Sequence, residues 1–153
     1  MRTATLVTTL SVAATAIISP ALADEITYRK HVRPLWEQKC MSCHGATAPT
    51  LGAFEDDKDK FTKMMVGPRM NDYANLVAFV GWPDTGALMR RLDDGKGGKS
   101  GKPGNMYVYL GGNEAERQKN LALIKSWVGE GAWFLGRFGE LDKATLQKIK
   151  VRE

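Results

Sequence analysis

The stretch Cys40-Met41-Ser42-Cys43-His44 decides how the rest of the chain is read. It holds the only two cysteines among 153 residues, so a multi-disulfide scaffold is excluded. Two thiols two positions apart, with an imidazole directly after the second, form a compact donor set. Around it the composition is ordinary: 43% hydrophobic and 25% charged residues exclude wholesale disorder and a collagen-like fibre. The length suits one domain with a single buried core.

Upstream of that stretch the chain opens like an export signal. Arg2 supplies a positive end, and Leu6 to Ile18 form a 13-residue apolar run diluted by Thr and Ser. Ser19-Pro20 breaks the run, and Ala21-Leu22-Ala23 offers small residues for cleavage. A membrane span needs about 20 apolar residues, so the run is too short to cross a bilayer. The expectation is a signal peptide over residues 1–23, cleaved near Ala23, and a mature periplasmic domain over 24–153 without a transmembrane segment. Cleavage removes only Arg2 from the charge count, leaving 21 basic against 17 acidic residues and taking the net charge from +5 to +4. In an oxidising compartment a bare C-x-x-C tends to a disulfide, whereas a pair consumed in thioethers has no thiol to lose.

Downstream the pattern is helical. Tyr28, Val32, Leu35 and Trp36 share one face of a helix over 28–39, which Thr27 would cap and Pro34 would kink or start. Residues 45–52 read as a loop. Short helices are predicted over Asp72 to Val80 and Asp84 to Leu92, and a glycine-rich loop over Asp93 to Asn105. Asn113 and Glu116 have capping-box spacing ahead of a stripe of Leu121, Ile124 and Val128, widened by Leu123 and Trp127 and stopped by Gly129 and Gly131. A last short helix is predicted over 142–150. Strand signals are weak throughout, and the predicted class is all-α.

The chemistry of Cys40, Cys43 and His44 suits covalent haem c. Each sulfur adds to a porphyrin vinyl group, and the adjacent imidazole is held beneath the iron. A zinc half-site would need further ligands, for which His31 is the only other histidine; a dithiol redox pair belongs in a βαβ setting absent here.

With this layout the sequence resembles the class I monohaem cytochromes c: a helix running into C-x-x-C-H, a downstream methionine, then a C-terminal helix bearing an aromatic. The resemblance implies an all-α fold wrapped around one haem with crossed N- and C-terminal helices. Trp36 would pack near Trp127 at the crossing. Ala48-Pro49-Thr50-Leu51 looks like the family's Gly-Pro-x-Leu step, which implies that the Pro49 carbonyl accepts a hydrogen bond from His44 and that Leu51 packs on the haem. The cofactor-binding set is then Cys40, Cys43, His44, Met106, Pro49 and Leu51.

For the sixth ligand the candidates are Met64, Met65, Met70, Met89 and Met106. Most methionines fill gaps in a core. Met64 and Met65 follow His44 too soon to circle a haem edge, and Met89 sits between Leu88 and Leu92 in a predicted helix. Met106 ends the glycine-rich loop just before the C-terminal helix, where class I cytochromes carry their methionine. The metal ligands expected are His44 and Met106, with His31 on the surface.

A haem ligated on both sides has no vacant position for substrate, which implies a one-electron, outer-sphere carrier rather than an enzyme. Arg90, Arg91, Lys96, Lys99 and Lys102 would rim the haem edge and steer a redox donor or acceptor with an acidic docking patch. No nucleic-acid reading motif is present. The alternative is a haem c subunit of a larger periplasmic oxidoreductase complex, to which the helix over 142–150 gives weight; a third reading is an open, gas-binding haem.

Overall fold

Pro34 governs how the first helix begins. An uninterrupted α-helix from Tyr28 would set the proline ring against the carbonyl four residues back and waste a bond. The computed structural model describes residues 25–82, 84–96, 101–133, 135–136 and 141–153, and in it the chain avoids that clash by changing winding. Tyr28–Val32 forms one turn of π-helix, with Val32 N–H donating to the Thr27 carbonyl (3.3 Å) and Arg33 N–H to that of Tyr28. Helix α1 (Arg33–Lys39) then starts afresh with Pro34 in its first turn. Thr27 caps the π turn through its hydroxyl, which accepts from Lys30 N–H, and His31 Nδ1 accepts the Thr27 N–H at 3.1 Å. The single helix expected over 28–39 is therefore two segments, and His31 is a capping residue.

After Cys40 come α2 (Met41–His44), α3 (Leu51–Asp56), α4 (Lys58–Lys63), α5 (Tyr73–Val77), α6 (Ala87–Leu92), a 3-10 turn (Tyr107–Leu110), α7 (Glu114–Val128) and α8 (Lys143–Leu146). Every regular element among the described residues is helical. Helix α7 starts where the capping box predicts: Asn113 Oδ1 accepts Glu116 N–H at 2.9 Å, and Glu116 reaches back to Gly112 N–H at 2.8 Å. Gly129 ends it at φ +106, a positive value that residues with a side chain avoid. Asp72 caps α5 through Asn75 N–H. The expected signal segment, Pro83 and Lys99 lie outside the described residues.

The core gathers the buried faces of these short helices. Leu121, Ile124, Trp127 and Val128 of α7 are buried with Val32, Leu76, Met89 and Leu110, each such side chain contributing about 1.5–3 kcal/mol by leaving water. The N- and C-terminal helical segments do meet, but through the π turn: Tyr28 stands 6.3 Å from Trp127, centroid to centroid, and 5.5 Å from Tyr73. Trp36, expected at that crossing, instead faces the His44 ring at 6.3 Å.

Residues beyond α8 close this aromatic cluster. Trp127 Nε1–H and Tyr28 N–H both donate to the Arg152 carbonyl (2.8 and 2.7 Å), and the Tyr73 hydroxyl donates to that of Val151 (2.8 Å). Val151 N–H returns a bond to the Trp127 carbonyl, and Arg152 pairs with Glu25 at 3.0 Å. Three segments distant in sequence are thereby fastened at one point.

Candidate haem site

Cys40 ends α1 and, in the same residue, opens α2. Its carbonyl accepts from both Cys43 N–H (3.2 Å) and His44 N–H (3.0 Å), so the three donor side chains ride on one turn of backbone. Burial, with a smaller push from Cys43, raises the Cys40 thiol to about 12. A thiol in that setting is inert, whereas a thioether has no proton to lose and suits an apolar wall.

His44 is held from two directions. Its Nδ1 lies 2.7 Å from the Pro68 carbonyl, which makes Nδ1 the protonated nitrogen and leaves Nε2 with its lone pair for a metal. Burial lowers the ring's basicity, partly opposed by that same bond, and favours the neutral form that a ligand needs. Main-chain bonds zip the segment carrying Pro68 to the motif: Gly67 N–H donates to the Cys43 carbonyl (3.0 Å) and Met70 N–H to that of His44 (2.9 Å). Gly67 presses so close that a Cβ there would lie 2.1 Å from His44 Cε1.

This corrects the reading of Pro49. Its carbonyl accepts Arg69 N–H at 2.8 Å and is not the partner of His44. The later Gly67-Pro68-Arg69-Met70 step supplies that partner, because the chain returns to the histidine only after α3 and α4. Gly67 and Pro68 were missed, and the sequence signal was a second proline step, this one with its glycine present. Leu51 opens α3, half-buried, and lines a cleft of about 600 Å³ with Ala87, Arg90 and Arg91.

The methionines separate by environment. Met64 and Met65 are exposed, and Met89 is fully buried in α6 among core side chains. Met70 is buried with its backbone tied to the His44 carbonyl. Met106 is half-buried at the head of the 3-10 turn, its N–H donating to the Arg91 carbonyl at the end of α6 (2.9 Å). Tyr107 is buried and donates to Glu114 (2.7 Å), Trp133 donates to the Lys125 carbonyl (2.8 Å), and Trp82 and Tyr109 are exposed.

A haem fits these residues chemically. Two thiols and a neutral imidazole share one turn, and the buried Trp36 Nε1–H beside His44 has no hydrogen-bond partner within the protein. Among the described residues no group of three or more His, Cys, Asp or Glu side chains is placed to hold a metal ion.

Comparison with known proteins agrees with that chemistry. Residues 27–153 match the family model described as PccH cytochrome c. The chain is also similar to the structure of the monohaem cytochrome PccH from Geobacter sulfurreducens, at 48% sequence identity and a TM-score of 0.76, over 84% of this chain and 99% of that one. None of the curated proteins matches. No described helix is long and apolar enough to cross a membrane. The chain belongs to the PccH cytochrome c family, and as a monohaem c-type cytochrome it carries one covalently bound haem c and serves electron transfer.

Proposed function

We propose that the chain is a periplasmic one-electron carrier whose haem is joined to Cys40 and Cys43 and ligated by His44 Nε2 and Met106 sulfur. The observation that carries this is the 2.7 Å bond between His44 Nδ1 and the Pro68 carbonyl, which orients the ring and commits Nε2 to the iron. Iron ligated by imidazole and thioether cycles between two oxidation states with a raised potential. The protein's part is to keep both ligands fixed, so that little rearranges when the electron moves.

Met106 is favoured by its surroundings. It is the half-buried candidate on an irregular segment, whereas Met70 and Met89 are spent in the core. Residues 1–23 serve as the export leader, in keeping with their charge and apolar pattern and with a family match that begins at residue 27. Residues 24–153 form one domain. The carrier reading gains over that of a docked subunit because the 142–150 segment, which favoured the latter, is tied to the chain's own α7 by Lys150 N–H on the Val128 carbonyl, and the residues after it bond Tyr28 and Trp127.

Partners present acidic groups to the Arg91, Lys96 and Lys102 side. Arg90 and Lys96 contribute less than their charges suggest, since Arg90 pairs with Asp84 at 2.8 Å and donates to the Thr85 carbonyl, and Lys96 pairs with Asp94 at 3.7 Å. Electron-transfer rates should therefore fall with added salt. The ligand test is the oxidised absorption spectrum of Met106→Ala. Loss of the weak sulfur-to-iron band at the red end is expected, and its survival overturns the assignment. Rapid carbon monoxide binding to the reduced wild-type protein would also overturn it, in favour of an open haem.

A further inference from the structure

We infer that Asp93 is a positioning residue that fastens the Met106 segment to α7 through Lys125; this rests on Met106 being the ligand. Asp93 caps the end of α6 and is only 4% exposed. A buried carboxylate is costly unless its surroundings compensate it, so its presence here calls for a role. Counted by sequence alone it merely offsets the basic residues around it.

Its atoms work in three directions. Oδ2 accepts Gly95 N–H at 2.8 Å and shapes the turn after α6. Its main-chain carbonyl accepts Gly104 N–H, also at 2.8 Å, two residues before Met106. Oδ1 accepts no hydrogen bond and faces the Lys125 ammonium at 3.5 Å, an attraction of charge without directed bonding. Lys125 is itself steadied by Trp133, whose indole lies 5.2 Å from the ammonium and donates to the Lys125 carbonyl.

Residues 91–95 therefore form a bed on which 102–106 lies. Contact is tight: a Cβ on Gly104 would sit 2.2 Å from the Arg91 carbonyl oxygen, and one on Gly95 would sit 2.6 Å from the Lys102 carbonyl carbon. Met106 N–H then bonds Arg91 O. The charge pair fixes this bed relative to α7, the helix against which the π turn packs. Weakening it frees the sulfur to leave the iron more often.

The test is imidazole titration of the oxidised holoprotein, because imidazole binds iron only when the methionine has left. Asp93→Asn keeps the side-chain size and an acceptor for Gly95 but removes the charge; apparent imidazole affinity should rise about three- to tenfold. Tyr73→Phe, which weakens the fold at the distant Val151 contact, should leave imidazole affinity unchanged and so separates positioning from general stability. If Asp93→Asn does not accumulate, Lys125→Gln removes the other half of the pair and carries the same expectation. Wild-type imidazole affinity in the variant that accumulates overturns the role of Asp93, provided Met106→Ala has lost its sulfur band. If Met106→Ala keeps that band, the ligand reading fails first and the inference falls with it.

Discussion

The Pro68 carbonyl oxygen stands 2.7 Å from His44 Nδ1, and the residue before Pro68 is a glycine whose missing side chain leaves room for the ring. Twenty-four positions of sequence separate the two partners, yet the main-chain bonds from Gly67 to Cys43 and from Met70 to His44 make them one unit.

Gly67→Ala is therefore expected to break that unit. The methyl would meet His44 Cε1 at 2.1 Å and Nδ1 at 2.6 Å, and relief requires the ring or the turn to move. A cost of about 1–3 kcal/mol is expected, together with a shifted haem spectrum. Denaturant unfolding and visible absorption check both, and a wild-type result in each would remove Pro68 as the orienting group.

The contact of Tyr73 with Val151 offers a second test. Tyr73→Phe removes a partly buried bond of 2.8 Å and should cost about 0.5–1.5 kcal/mol. Trp127→Phe loses its bond to Arg152 and leaves a small void, at about 1–3 kcal/mol. Because both bonds fasten the same strip of chain, the double variant should lose less than the two single losses together. Full additivity in unfolding midpoints would argue that the strip is not one unit.

Acid stability should depend on Glu116. Hydrogen bonds from Lys39 Nζ (2.6 Å) and Gly112 N–H (2.8 Å) hold its carboxyl below the ordinary value of 4.5. A depressed carboxylate stabilises the fold above its unfolded value and loses that contribution as pH falls through the folded one. Glu116→Gln should thus narrow the stability gap between pH 6 and pH 3. An unchanged pH profile would count against the link between α1 and α7.

Tyr107 and Glu114 predict a spectroscopic shift. The Glu114 carboxyl is held low by Gln118 first and by the Tyr107 hydroxyl second. Tyr107→Phe should raise it toward 4.5 while leaving Gln118 and Arg117 to hold it, as a carbon-detected titration of the side chain would record. No movement would mean that the phenol does not serve the carboxylate.

What the sequence disclosed divides by range. The cap of α7 was readable because Asn113 and Glu116 lie within one turn, and its stripe of Leu121, Ile124 and Val128 needs only helical periodicity. Helices α3 and α4 were not readable: they are two short, mostly exposed helices started by Thr50 and Asp57 caps rather than by an apolar face. The first helix was right in place and wrong in winding, since a π turn leaves no mark on residue spacing. At the proposed haem site, Cys40, Cys43 and His44 are candidates from adjacency alone. Pro49 is expected as the histidine's partner because Ala48-Pro49-Thr50-Leu51 resembles the family's Gly-Pro-x-Leu step, whereas the return of the chain through Gly67 and Pro68 depends on where two helices end. Tyr28 rather than Trp36 meets Trp127 for a related reason: the change of winding rotates one aromatic away and brings another in.

The strip around Val151 and Arg152 also sets an order of events. Arg152 follows His44 by 108 positions, so a growing chain presents Cys40 to Cys43 long before the strip that fastens Tyr28 to Trp127 is made. The latch of residues 151 and 152 on Tyr28, Tyr73 and Trp127 therefore closes only once the whole chain is present. The contacts that fasten the folded chain are thus also the last that its synthesis makes available.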